Sequence, residues 1–182
     1  PNGEDGRDFR RFPGEPSLKV GLRLAIAASL CWGLAAHALS YEGLVVKVKD
    51  GDTVTLLDSE ERQHEVRLAG IDAPEKKQAF GQRSKQSLSD LAYMRKATVH
   101  FDKKDRYGRE VGKILVNEHD LNLEQVKRGM AWVYRQYQRE LTMEDRMLYD
   151  DAEGAAKLSG RGLWADADPT PPWDFRRTKK LE

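Results

Sequence analysis

The chain has 182 residues, 39% of them hydrophobic, which is enough for one domain of ordinary size with tails. Its 31 Lys and Arg against 30 Asp and Glu leave a formal charge of +1, so the broad basic surface of a typical polyanion binder is absent. Any anionic ligand must be gripped by a local cluster, and the single cysteine, Cys31, excludes an intrachain disulfide or a thiolate metal cage.

Residues 1–16 are rich in Gly, Pro and charge, a composition that does not build a packed core. Lys19 and Arg23 then precede the uncharged run 24–36, which ends in Ala36-His37-Ala38. A basic flank, an apolar run short for a membrane span and a small-x-small ending predict a secretory signal peptide over about 18–38. A core helix or an uncleaved membrane anchor is the alternative. The expectation is a bacterial protein, periplasmic or secreted, that begins near Leu39 once the signal is removed and has no membrane association afterwards.

From Tyr41 the pattern has a period of two. Leu44, Val46 and Val48 alternate with Val45, Lys47 and Lys49, which predicts a strand. Asp50-Gly51-Asp52-Thr53 supplies a hairpin turn, and a second strand resumes over 54–57. A polar turn at 58–62 leads to a third strand over 64–71. That strand breaks at Ala73-Pro74, because proline lacks a ladder donor and drives the preceding residue into an extended conformation. A helix is expected over 82–95, with Leu88, Leu91 and Ala92 on one side. Strands at 98–101 and 111–116 flank a charged hairpin loop in which Gly108 suits the turn.

A short helix over 121–128 is capped by Asp120 or Asn122 and stopped by Gly129. After the strand-like Ala131-Trp132-Val133, a last helix over 142–158 opens on Thr142 and Asp145. It carries Leu141, Leu148, Ala152 and Ala155 at helical spacing. Arg161-Gly162-Leu163-Trp164 closes a domain over 39–165, and residues 166–182 read as a flexible, charged, Pro-rich tail. The predicted fold is α+β, mainly β: a five-stranded barrel of the OB type with about three helices packed around it.

The chemistry resides in charged groups at strand ends. Asp50 and Asp52 flank Gly51 at a hairpin tip, and Asp72 stands where the third strand breaks. Without a histidine cluster or a thiolate pair, these oxygens suit a hard cation, and a mixture of side chain, carbonyl and water favours calcium over magnesium. Arg67 and Arg109 are candidate anion clamps, since a guanidinium fork matches two phosphate oxygens and stays charged. Tyr107 presents an aromatic face beside Arg109, and Tyr134 and Tyr137 could line the same groove or pack in the core. Taken singly, each feature also fits an ordinary turn or a surface ion pair.

Together, Asp50-Gly-Asp-Thr53, Arg67-Leu-Ala-Gly-Ile-Asp-Ala-Pro-Glu75 and Asp105-Arg-Tyr-Gly-Arg109 resemble the three signature blocks of the staphylococcal nuclease-like (thermonuclease) family. They occur in the family's order, and the resemblance runs from about Tyr41 to Trp164. It implies an OB barrel and a calcium-dependent phosphodiesterase that cuts DNA and RNA between phosphorus and the 5′ oxygen, leaving a 3′-phosphate. Asp52, Asp72 and the Ala73 carbonyl would hold one calcium ion. Glu75 would act on the attacking water, and Arg67 and Arg109 on the phosphate. Arg106, Tyr107, Arg135 and Tyr137 would contact substrate, with single strands preferred and no protein partner beyond the monomer required. Three departures bear on substrate preference. Ala73 replaces a threonine, the connection over 76–81 is short, and Arg135 stands where a nucleotide-contacting tyrosine is expected. The competing reading is an OB-fold module that binds nucleic acid or carbohydrate without cutting it.

Overall fold

In the computed structural model, strands β1 (Leu39–Val48), β2 (Thr53–Leu57), β3 (Gln63–Leu68) and β4 (Ile71–Asp72) precede helix α1 (Gly81–Ala92). Strands β5 (Lys96–Lys104), β6 (Glu110–Val116) and β7 (His119–Asp120) lead into α2 (Leu121–Lys127). After β8 (Trp132–Val133) and a 3-10 turn over Arg135–Glu140 come α3 (Met143–Leu158), a second 3-10 turn over Gly162–Ala165, and α4 (Pro172–Thr178). The structure describes residues 39–180, so the predicted signal segment lies outside it.

The strand order β3-β2-β1-β5-β6 is antiparallel throughout, and a parallel pairing of β3 with β6 closes the five strands into a barrel. This is the mainly β, OB-type architecture expected from the strand pattern. Closure places Arg67 opposite both Thr53 and Val111, so the ends of β2, β3 and β6 meet at one rim. Val45, Val54, Leu56, Val66, Leu68, Val99 and Ile114 are almost wholly buried, and Leu88, Leu121 and Val126 join them from α1 and α2. Each such side chain contributes roughly 1.5–3 kcal/mol of burial.

Local details differ from the sequence expectation for identifiable reasons. The alternation in β1 is broken by a bulge between Val45 and Lys47, so Val45 and Val48 are buried while Leu44 is exposed. The predicted third strand is split at Gly70, whose φ of 73° turns the backbone toward β4. A Cβ at Gly70 would lie 2.5 Å from Leu141 Cδ1, so both conformation and space exclude a side chain. On α3 the buried face is Asp145, Tyr149, Ala152, Glu153 and Ala156, whereas Leu148 and Ala155 are exposed. Lys113 pairs with Asp145 at 2.5 Å, and Glu153 accepts the Val133 N–H at 2.8 Å, so polar anchors orient this helix. Asp120 caps α2 through the Leu123 N–H, while buried Asn122 accepts from Ile114 and donates to the carbonyls of Ala69 and Gly112. Finally, the segment expected to be a flexible tail contains α4, begun by Pro172 at a position where its missing N–H has no cost.

Candidate active site

The Asp50-Gly51-Asp52 turn is closed by the Lys49 N–H donating to the Thr53 carbonyl at 2.9 Å, and by the Asp52 N–H donating to Asp50 Oδ1 at 3.1 Å. Two helices fix it from below. Gln125 Nε2 on α2 donates to the Gly51 carbonyl at 2.7 Å and to the Ser84 carbonyl on α1 at 3.1 Å. The turn touches α1 so closely that a Cβ at Gly51 would lie 1.8 Å from Ser84 Oγ. Asp52 is thereby held at the rim with 6% exposure. Its Oδ2 accepts the Ala73 N–H at 2.7 Å, which draws the peptide after β4 against the turn, and its Oδ1 accepts the Thr53 hydroxyl at 3.0 Å.

Asp72, on β4, is 1% exposed. Arg67 lies between the two aspartates, with Nη1 at 3.0 Å from Asp52 Oδ2 and Nη2 at 2.9 Å from Asp72 Oδ1. It also donates to the carbonyls of Leu68 at 3.2 Å and Ile71 at 3.0 Å, so its fork is committed by the strand end itself. Burial raises the Asp72 carboxyl above its ordinary pKa, and the Asp52 charge adds to this against the opposing pull of Arg176 and Arg67. Burial and then the Asp52 charge push Asp50 up to about 6. Crowded, desolvated carboxylates of this kind gain from a cation.

Arg109 completes the rim from the hairpin between β5 and β6. Asp105 accepts its N–H and its Nε at 3.0 and 2.7 Å, and Arg109 Nη1 reaches Thr53 Oγ1 at 3.5 Å. The Thr53 hydroxyl therefore links Arg109 to Asp52. Tyr107 is 73% exposed, with the guanidiniums of Arg106 and Arg109 at 5.4 and 5.5 Å from its ring centre. Glu75 projects beyond Pro74 with its side chain 41% exposed, and its N–H donates to Gln78 Oε1 at 3.0 Å.

The structure brings Asp52, Arg67, Asp72, Ala73, Glu75 and Arg109 into this one neighbourhood, with Arg106 and Tyr107 at its edge. Tyr137 belongs to an aromatic patch beside it, its ring edge-on to Tyr134 at 4.9 Å. Arg135 is directed elsewhere: it pairs with Asp150 and, at 2.9 Å, with Glu153 on α3.

Three contributors have no site role in the sequence reading. Thr53 and Gln125 act as connectors. The third is Arg176 on α4, whose Nη2 lies 2.7 Å from Asp72 Oδ2 and whose Nη1 lies 2.8 Å from Glu75 Oε1 and 3.2 Å from Asp72 Oδ1. Partial burial works against its charge, but the Asp72 and Glu75 carboxylates hold it still more firmly protonated than an ordinary arginine. Trp173 on the same helix stacks on Tyr134 at 5.5 Å with the rings 1° from parallel. The available signal was the Pro171-Pro172-Trp173 start followed by basic residues, although a seven-residue helix shows almost no periodicity.

The donor set fits a hard divalent cation, because the Asp52 and Asp72 carboxylates converge on the single Arg67 guanidinium at 3.0 and 2.9 Å and Ala73 adjoins them. Among the described residues no three His, Cys, Asp or Glu side chains converge as a ligand cluster. Carbonyl, water and substrate oxygens would have to complete the shell.

Residues 65–166 match the model of the family described as staphylococcal nuclease homologue, a segment that ends before α4. The chain is 45% identical over 137 residues to an uncharacterized endonuclease of Haemophilus influenzae, covering 75% of this chain and 74% of the relative. It is 39% identical over 138 residues to an uncharacterized endonuclease of Escherichia coli O157:H7, covering 75% and 86%. It is 36% identical over 166 residues to a micrococcal nuclease of Shigella flexneri, covering 86% and 92%.

Proposed function

Because the chain belongs to the staphylococcal nuclease homologue family, we propose that it is a calcium-dependent nuclease that hydrolyses phosphodiester bonds in DNA and RNA. The observation that carries this reading is the Arg67 fork between two buried aspartates, with Glu75 and Arg109 at the same rim. A structural ion pair does not require three separate chain segments to converge on an open edge. Asp52, Asp72 and the Ala73 carbonyl would hold the calcium ion, which when bound would supply positive charge against the phosphodiester.

Arg67 and Arg109 take the non-bridging phosphate oxygens and stabilise the charge that accumulates there as water adds. For this, Arg67 exchanges carboxylate partners for phosphate oxygens. Glu75 accepts the proton of the attacking water, the bond between phosphorus and the 5′ oxygen breaks in line, and the 5′ oxygen takes a proton from water to leave as a hydroxyl, so that a 3′-phosphate remains. Tyr107 and Tyr137 offer exposed rings on which unpaired bases stack, and Arg106 adds charge beside them, which favours single-stranded substrate. Arg135 reaches substrate only if released from Asp150 and Glu153, so in this reading its part is secondary. The protein acts as a monomer and is exported, to the periplasm or the medium, by the signal segment within residues 1–38.

Incubation of single-stranded DNA with the protein and calcium, with and without a chelator, tests the proposal. Cleavage only in the calcium tube is expected, and intact DNA there refutes it. Glu75→Gln and Arg109→Ala should each slow cleavage at least about a hundredfold with circular dichroism unchanged. Near wild-type rates in both would refute the roles assigned.

A further inference from the structure

We propose that Arg176 is a tethered cation that occupies the seat between Asp72 and Glu75, so that α4 is a latch that must withdraw before a divalent cation and substrate can enter. This rests on the assignment of Asp72 and Glu75 above.

The geometry favours a latch over a third phosphate clamp. Both terminal nitrogens of Arg176 are spent on carboxylates, three contacts in all, and one of its partners is nearly inaccessible to solvent. A guanidinium donating into two carboxylates places one positive charge where a divalent ion would place two. It therefore competes with that ion for the Asp72 oxygens and at the same time occupies the Glu75 carboxylate.

The attachment of α4 is also of a releasable kind. Of its seven residues only Pro172 is buried. Phe175 is the one α4 residue that lines a pocket of about 200 Å³ shared with Pro74, Phe80, Trp132 and Leu163. Besides the Arg176 contacts, its main holds are the stack of Trp173 on Tyr134, the edge contact of Trp173 with Trp132 at 5.7 Å, and the bond from Gln78 Nε2 to the Thr170 carbonyl at 2.6 Å just before it. Trp173 and Arg176 are one helical turn apart, so the stack over Tyr134 and the plug move together.

A binding-competent state populated only in a fraction of molecules lowers apparent affinity by that fraction. Calcium binding to the full chain is measured by titration calorimetry, with no nucleic acid present, for wild type, Arg176→Ala and Arg176→Gln. The two variants should bind calcium about tenfold or more tightly than wild type. In wild type, calcium should also change the emission of Trp173, identified by its loss in Trp173→Phe. Phe175→Ala, which loosens α4 without touching either carboxylate, should tighten calcium binding in the same direction.

Equal or weaker calcium affinity in both Arg176 variants, or Trp173 emission unmoved by calcium, overturns the latch. If the wild type also cuts DNA with calcium in that case, the nuclease reading stands and only the latch falls. If neither wild type nor variants bind calcium or cut, both fall together. Slower turnover of Arg176→Ala with no gain in calcium affinity would make Arg176 a participant in the reaction and would likewise overturn the latch.

Discussion

Arg67→Ala should destabilise the protein strongly in the absence of metal. The side chain is 14% exposed and lies between carboxylates that are 8% and 1% exposed, so its charge is poorly replaced by water. Its removal deletes contacts of 3.0 and 2.9 Å to Asp52 and Asp72 and two bonds to the carbonyls of Leu68 and Ile71. Removing one partner of a buried ion pair typically costs about 3–5 kcal/mol, because the remaining charge stays buried. Asp72 keeps its bonds to Arg176, and Asp52 keeps the Ala73 N–H and the Thr53 hydroxyl, which argues for the lower end, about 3 kcal/mol. Urea unfolding in chelator, followed by tryptophan emission, should therefore move its midpoint down by about 1–3 M, given slopes of about 1–3 kcal/mol per molar. Asp52→Asn added to Arg67→Ala should recover part of the loss, because Asp52 is paired with Arg67 and, unlike Asp72, not with Arg176, and its orphaned charge is removed as well. A loss below about 1 kcal/mol, or no recovery in the double variant, would refute the argument that Arg67 compensates buried charge.

Two further outcomes follow from the fold around the site. Gly51→Ala would drive a methyl group into Ser84 Oγ, so thermal unfolding should show a loss of about 1–3 kcal/mol that Ser84→Gly partly repairs; an unchanged melting temperature in Gly51→Ala would refute the close approach. On β3, three residues before Arg67, His64 bonds Asp58 at 2.9 Å and Glu110 at 3.1 Å. Burial disfavours its charge, but the bonds and charges of Asp58 and Glu110 outweigh burial and raise its pKa. Its stabilisation is therefore fully present below the unfolded value of about 6.5 and lost as pH rises through the higher folded value. Asp58 complements it: bonds from His64 and the Arg62 backbone lower its pKa, so its contribution is present above about 3.9 and lost as pH falls through the folded value. An NMR titration that placed His64 at or below about 6.5 would refute the first of these.

Much of the site was legible because each of its turns is written in local chemistry. Asp-Gly-Asp can only bend, Ala73-Pro74 can only end a strand, and Gly108 marks the turn that returns Arg109 to the barrel. What escaped the sequence depends on contacts between distant residues. Arg176 meets Asp72 and Glu75 across 104 and 101 residues, and its helix is too short to announce itself by periodicity. The exposed side of β1 was misjudged because a bulge has no residue signature there. The buried face of α3 was misjudged because Asp145, Tyr149 and Glu153 define it, so an apolar count pointed to Leu148. Arg135 has no local mark of its bond to Glu153, which depends on where α3 lands.

The parallel pairing of β3 with β6 has a consequence for how the chain matures. It is the last seam of the barrel in sequence order, and the long excursion through α1 and β5 must be closed before it forms. Arg67 and Arg109 enter from opposite sides of that seam. A chain in which residues 110–116 are not yet paired with β3 carries Asp52, Arg67, Asp72 and Glu75 but does not hold Arg109 beside them. On the function proposed above, cleavage therefore requires β3 and β6 to be paired, because that pairing is what sets the Arg67 strand end beside the hairpin that carries Arg109.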